Sequence, residues 1–249
     1  MPLDVNDLVA FYSSPLGDVA RRLIGRVLRQ RWENCARLSI LGVGFAGPLL
    51  ERFRDEAQRA LAFMPAEIGV APWPAQGRCS SALVSLDMLP LPDASIDRAL
   101  IVHGLETAEH PGAVLEEVWR VLAPEGRALL VVPSRRGVWA RVDGTPFGQG
   151  LPYSKGQLRE LLREALFSPV FWGEALYAPP FRRQFFLNSA TAIERLGAAL
   201  GLPFAGVYIV EATKQLYRPV GVRKVARREA PTLAPGLAPA AHRQATRRL

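Results

Sequence analysis

Two groups of residues in this chain have types and spacing suited to chemistry. The first is the glycine run Gly42-Val43-Gly44-Phe45-Ala46-Gly47, which closes an apolar stretch that begins at Leu38. Glycines so spaced let a backbone turn tightly and approach a nucleotide-like ligand with no side chain between. The second group lies just past later apolar runs: Ser85 and Asp87, then His103, Glu106, Glu109 and His110. A carboxylate such as Asp87 accepts hydrogen bonds from a ligand's N–H or O–H groups. An imidazole or carboxylate at such a place can take a proton from an attacking atom. A dinucleotide site also needs an acid about 20 residues after the glycines, to hold a ribose hydroxyl. Here the next apolar run ends in Phe63-Met64-Pro65, and Glu67 beyond it reads as pointing from a loop.

These residues need a scaffold, and the apolar runs describe one. Residues 5–34 read as helix, with Leu16, Val19, Ala20, Leu23, Ile24, Val27 and Leu28 repeating at three and four. Short apolar runs without alternation follow at 37–41, 59–64, 81–86, 97–103 and 127–133, as expected of strands buried on both faces. Helices are expected at 48–54 and 111–122, with a turn at 123–126. Alternation of this kind implies right-handed crossovers and a parallel sheet. Further on, 154–165 reads as helix with Ser154 as N-cap. The segments 169–176 and 207–217 read as two strands with a helix, 188–200, between them. The expected fold is α/β: a Rossmann-like parallel sheet with helices on both faces and a C-terminal antiparallel strand pair. The expected divisions are an N-terminal helical segment 1–36, a main domain 37–218 and a tail 219–249.

The segments after the third strand carry a family resemblance. Leu89-Pro90-Leu91-Pro92-Asp93-Ala94-Ser95-Ile96-Asp97, then Leu105–Pro111, then VWRVLAPEG at 118–126 stand in the order and spacing of class I S-adenosylmethionine-dependent methyltransferases of the type 11 group, which they resemble. The resemblance implies a transferase that uses S-adenosyl-L-methionine to methylate an unidentified acceptor, a small molecule or a protein. It places the cofactor at Gly42, Gly44, Phe45, Met64, Asp87, Met88 and His103. His103 reads equally as a histidine satisfied within the structure. The sequence departs from the pattern at Ala46, where a third glycine is common, and at two acidic positions. Ile40 stands where the family carries an acid, and Met64 stands where an acid holds both ribose hydroxyls. Charge-assisted bonds of that kind contribute about 1.5–3 kcal/mol each. The alternative expectation is therefore a catalytically inactive binding or scaffolding subunit with this fold. Methyl transfer needs proximity and a base more than a fixed set of catalytic residues, so no catalytic residue is assigned; the candidate bases are His103, Glu106, Glu109 and His110. A lid over the acceptor is expected from 137–153 and 177–186, which are rich in aromatic residues and arginine.

Composition narrows the classes. The chain has 249 residues, 49% of them apolar, and a net charge of +8. Seven basic residues and one acid lie in Pro219–Leu249, so the body is close to neutral and the tail is basic. A nucleic-acid-binding body is not supported. The tail is dominated by Ala, Pro and Arg without apolar periodicity, and it reads as disordered. Cys35 and Cys79 have no metal-binding spacing, so no metal is expected. No apolar run reaches 18 residues, and the first residues lack the pattern of a secretory signal. A cytoplasmic location is expected.

Overall fold

A computed structural model describes residues 3–181 and 184–216. The expectation for the tail therefore lies outside the described residues, as do Arg182 and Arg183 of the expected lid. The first helical stretch is two helices, α1 (Val5–Tyr12) and α2 (Pro15–Arg31). The break has a local cause. Ser14 caps α2 by accepting from Gly17 N at 3.1 Å, and Pro15 takes the first helical turn, where its missing N–H costs nothing. A Cβ on Gly17 would lie 1.9 Å from the carbonyl oxygen of Phe11, so only glycine permits this sharp corner. The corner turns α1 away from α2 and delivers Tyr12 toward the sheet.

The remaining elements follow the expected order: β1 (Ser39–Gly44), α3 (Gly47–Arg54), β2 (Arg59–Pro65), β3 (Ser81–Val84), β4 (Ile96–Val102), α4 (Pro111–Val121), β5 (Leu122–Pro133), α5 (Lys155–Glu164), β6 (Phe167–Ala175), α6 (Gln184–Ala199) and β7 (Val207–Lys214). The seven strands lie in the order β3-β2-β1-β4-β5-β7-β6. The first five pair in parallel, and β7 runs antiparallel to both β5 and β6. Ala123–Gly126, expected as a turn, is extended instead, with Leu122 paired to Ile96 across a register shift.

Successive residues of each strand point to opposite faces, and both faces are covered. Ile40, Met64, Leu100, Leu129 and Ile209 pack under α1, α2 and α3. Leu41, Val43, Ile101, Leu130 and Val210 pack under α4 and α5. Burial on both faces explains why the strands read as unbroken apolar runs. The two residues that replace the family's acids belong to this core: Ile40 is fully buried and Met64 is 2% exposed. The sheet also buries a carboxylate. Glu211 on β7 is inaccessible and accepts from Arg31 at 2.9 and 2.6 Å, and from Arg127 at 3.3 Å.

Candidate functional site

At β1 the strand order reverses, with β2 and β3 to one side and β4 and β5 to the other. Open α/β sheets bind ligands in the crevice past the strand ends at such a point. A cavity of about 470 Å³ opens there, within the size range of small-molecule sites. Pro65, Glu67 and Ile68 after β2 form one wall with Ser85, Leu86 and Asp87 after β3. Gly104 and Glu106 after β4 form the opposite wall with Gln149 and Leu151. Leu3 reaches the cavity from the N-terminal segment, which is tied down where Val5 N donates to Ile68 O at 2.9 Å. Glu109 and His110 also line it, and no lysine or arginine does among the described residues.

Two arrangements shape these walls. Ser85 Oγ donates to Asp87 Oδ1 and orients that carboxylate. Behind it, Arg120 of α4 holds the Leu89–Asp93 segment by donating to Leu89 O and Leu91 O at 2.9 Å and to Asp93 at 2.6 Å. Glu117 accepts from Leu89 N at 2.8 Å. The two sequence motifs at 89–97 and 118–126 are thus the two halves of one clamp.

On the other wall lies a buried polar chain. Tyr12 Oη is 2.9 Å from His103 Nε2, and His103 Nδ1 is 3.1 Å from Glu106 Oε1. His103 and Glu106 are at most 2% exposed. Burial, reinforced by the charge on Glu106, pushes the Tyr12 phenol well above its ordinary range. Tyr12, His103 and Glu106 thus form one hydrogen-bonded chain that ends on Glu106 Oε1. His103 has φ +51°, a left-handed conformation that a residue with a Cβ adopts at a cost. Strain of this kind gathers at functional sites. Tyr153 donates to Leu105 O at 3.0 Å, and its phenol is pushed up to about 12 by burial and by Glu106.

Of the seven residues singled out from the sequence for the cofactor, Asp87 lines the cavity. Met88 is beside it but 74% exposed. Met64 turns into the core, where its sulfur accepts from Ala71 N at 3.3 Å. Gly42 and Gly44 serve packing: a Cβ on Gly42 would meet Ala46 Cβ at 2.9 Å, and one on Gly44 would meet Val102 O at 2.3 Å. Phe45 is buried with its ring stacked on Tyr12, centroids 5.9 Å apart. His103 stands behind Glu106 instead of facing the cavity. Among the candidate bases, Glu106, Glu109 and His110 all reach it. Glu67, read from the sequence as pointing from a loop, also lines the cavity. Tyr12, Leu3 and Gln149 were not singled out. Ser14-Pro15, a helix-start signal inside a helical pattern, marks where Tyr12 leaves the helix.

Comparison with known proteins agrees with this geometry. Residues 24–130 match the family model described as a methyltransferase domain. That segment holds the glycine turn, the cavity walls after β2, β3 and β4, and the clamp. The match is to a methyltransferase domain over that segment, which is less than half of the chain. A malonyl-[acyl-carrier protein] O-methyltransferase from Halorhodospira halophila is 33% identical over 66% of this chain, which spans 60% of that relative's length. Among solved structures, an S-adenosylmethionine-dependent methyltransferase from Thermotoga maritima shares the fold at TM-score 0.56 and 17% identity, over 85% of this chain and 96% of that one. A [4+2]-cyclase shares it at TM-score 0.56 and 23% identity, over 80% and 82%. At those identities the likeness concerns architecture, and function must be argued from the site.

Proposed function

We propose that this chain is an S-adenosylmethionine-dependent methyltransferase acting in the cytoplasm. The observation that carries the proposal is the cavity at the strand reversal, which pairs apolar walls with carboxylates and carries no lysine or arginine among the described residues. The cofactor fits that chemistry. Leu86 and Ile68 would enclose the adenine, and Asp87 would accept from its amino group. Glu67 would take the ribose hydroxyls in place of the acid that Met64 displaces. When bound, the sulfonium supplies an activated methyl group. The protein then has to align the acceptor and remove its proton. The H. halophila relative is named for an acceptor that carries a carboxylate. The cavity here offers such an acceptor no lysine or arginine among the described residues, which favours a neutral or cationic acceptor.

One observation favours the alternative reading, a subunit that keeps the fold without turnover: Phe45 at the glycine turn is covered by Tyr12. Calorimetry with S-adenosylmethionine and S-adenosylhomocysteine tests the proposal. Micromolar binding that weakens at least tenfold in Asp87→Ala and in Glu67→Gln is expected. No binding at millimolar ligand overturns it. No helix among the described residues is long and apolar enough to cross a membrane.

A further inference from the structure

The cofactor reading accounts for the cavity wall built after β2 and β3. The opposite wall, built after β4 and β5, carries two buried oxygens with no hydrogen-bond partner among the described residues: Glu106 Oε2 and Gln149 Oε1. Both residues line the cavity. Their backbones are locked together, since Leu151 N donates to Glu106 O at 2.8 Å and Gly150 packs so tightly on Glu106 that a Cβ would lie 2.4 Å from that oxygen. Buried polar atoms are normally paired, and two unpaired ones on residues that line an open cavity are available to a ligand there. Both atoms are acceptors, so the missing partner is a donor. One belongs to a carboxylate that is 2% exposed, so a positive charge on that donor is favoured.

We propose that this wall receives the methyl acceptor, and that the acceptor is an amine that enters as its ammonium form. An ammonium offers up to three N–H donors, enough for Glu106 and Gln149 together. The Tyr12–His103 chain occupies Glu106 Oε1 and so leaves Oε2 for the ligand. Glu106 is thereby the proton acceptor, and Tyr12 and His103 are positioning residues. Glu106 takes one proton from the ammonium and frees the nitrogen lone pair. That pair forms the new N–C bond as the C–S bond breaks, and the sulfur keeps the electrons of the broken bond. The product leaves as a methylated ammonium.

This inference rests on the cofactor reading, and its test separates the two. The full chain is loaded with S-adenosylhomocysteine and titrated with butylamine and with butyrate, which share a skeleton and differ in charge. Butylamine should bind and butyrate should not. Glu106→Gln should weaken the amine at least tenfold and leave S-adenosylhomocysteine within twofold. Gln149→Leu, on a partly exposed loop, should weaken the amine in the same direction and carries the test if Glu106→Gln does not fold. Equal binding of butyrate, or amine binding indifferent to both substitutions, overturns the proposal. So does a Glu106→Gln loss for S-adenosylhomocysteine that is absent for 5′-methylthioadenosine, because Glu106 would then hold the cofactor's own ammonium. A wild-type chain that does not bind S-adenosylhomocysteine overturns the cofactor reading instead, and the amine arm is then read on the protein alone.

Discussion

Two glycines face each other where β1 passes β4, and alanine at each should have opposite consequences. Gly44 has φ +80°, and a Cβ there would lie 2.3 Å from Val102 O and 2.8 Å from Gly104 N. The left-handed conformation costs a residue with a Cβ about 1–2 kcal/mol. Relieving the overlap means moving backbone that is paired in register, Gly44 with Val102. Overpacking of that kind costs about 1–3 kcal/mol more. Gly44→Ala should therefore lose roughly 2–5 kcal/mol. At about 2–4 °C per kcal/mol for a domain of this size, Tm should fall by roughly 4–20 °C. At Gly104 the nearest atoms to a new Cβ are Gly44 Cα at 3.4 Å and Leu86 Cδ1 at 3.5 Å, which is ordinary contact. Gly104→Ala should stay within about 1 kcal/mol of wild type. Because Gly104 lines the cavity, the same methyl group should weaken S-adenosylhomocysteine at least tenfold. Thermal unfolding followed by circular dichroism, with calorimetry on the folded variants, measures both effects. A Gly44→Ala protein that melts within 2 °C of wild type would refute the packing argument. A Gly104→Ala protein that binds normally would show that the ligand does not pass that point.

Two further substitutions probe the scaffold. Arg31→Met leaves the inaccessible Glu211 carboxylate with Arg127 alone at 3.3 Å and should cost about 3–5 kcal/mol by urea unfolding. Glu211→Leu leaves two arginines that can reach water and should cost less; equal losses would count against the asymmetry. Burial pushes the Glu194 carboxyl up, against donation from the Tyr177 and Leu176 backbone. Its folded pKa then exceeds its unfolded value, so its contribution to stability is full below the unfolded value and is lost as pH rises through the folded one. Glu194→Gln should flatten the wild-type decline in stability just above pH 4.5, and an unchanged slope in urea titrations would refute the assignment.

The sheet was legible because strands buried on both faces leave short apolar runs, and each run fell within a few residues of a strand. The clamp was legible as two motifs, although only the fold shows that Arg120 joins them. The break at Ser13–Ser14 was hidden because the apolar residues of α2 continue a period that α1 does not interrupt. The glycine turn shows most clearly where sequence reasoning stops. Gly42 and Gly44 have the spacing of a ligand loop, yet their missing side chains make room for α3 and β4. What lines the cavity comes from Leu3, Glu67, Glu106 and Gln149, which are far apart in sequence and share no spacing. Glu67 could not be recognised as a wall residue because its direction depends on how the chain turns after Pro65.

The strand order also sets a timetable for synthesis. β6 pairs with β7 alone among the described strands, and β7 must slot between β5 and β6. When Phe167–Ala175 emerges from the ribosome, its neighbour is still unmade and is complete about 40 residues later. At about 5–20 residues per second, that is about 2–8 s. During this interval β5 and β6 both expose an open edge, while the five parallel strands and the cavity walls after β2, β3 and β4 have already left the tunnel. The ligand-binding half of the molecule can thus assemble before the half that closes the sheet.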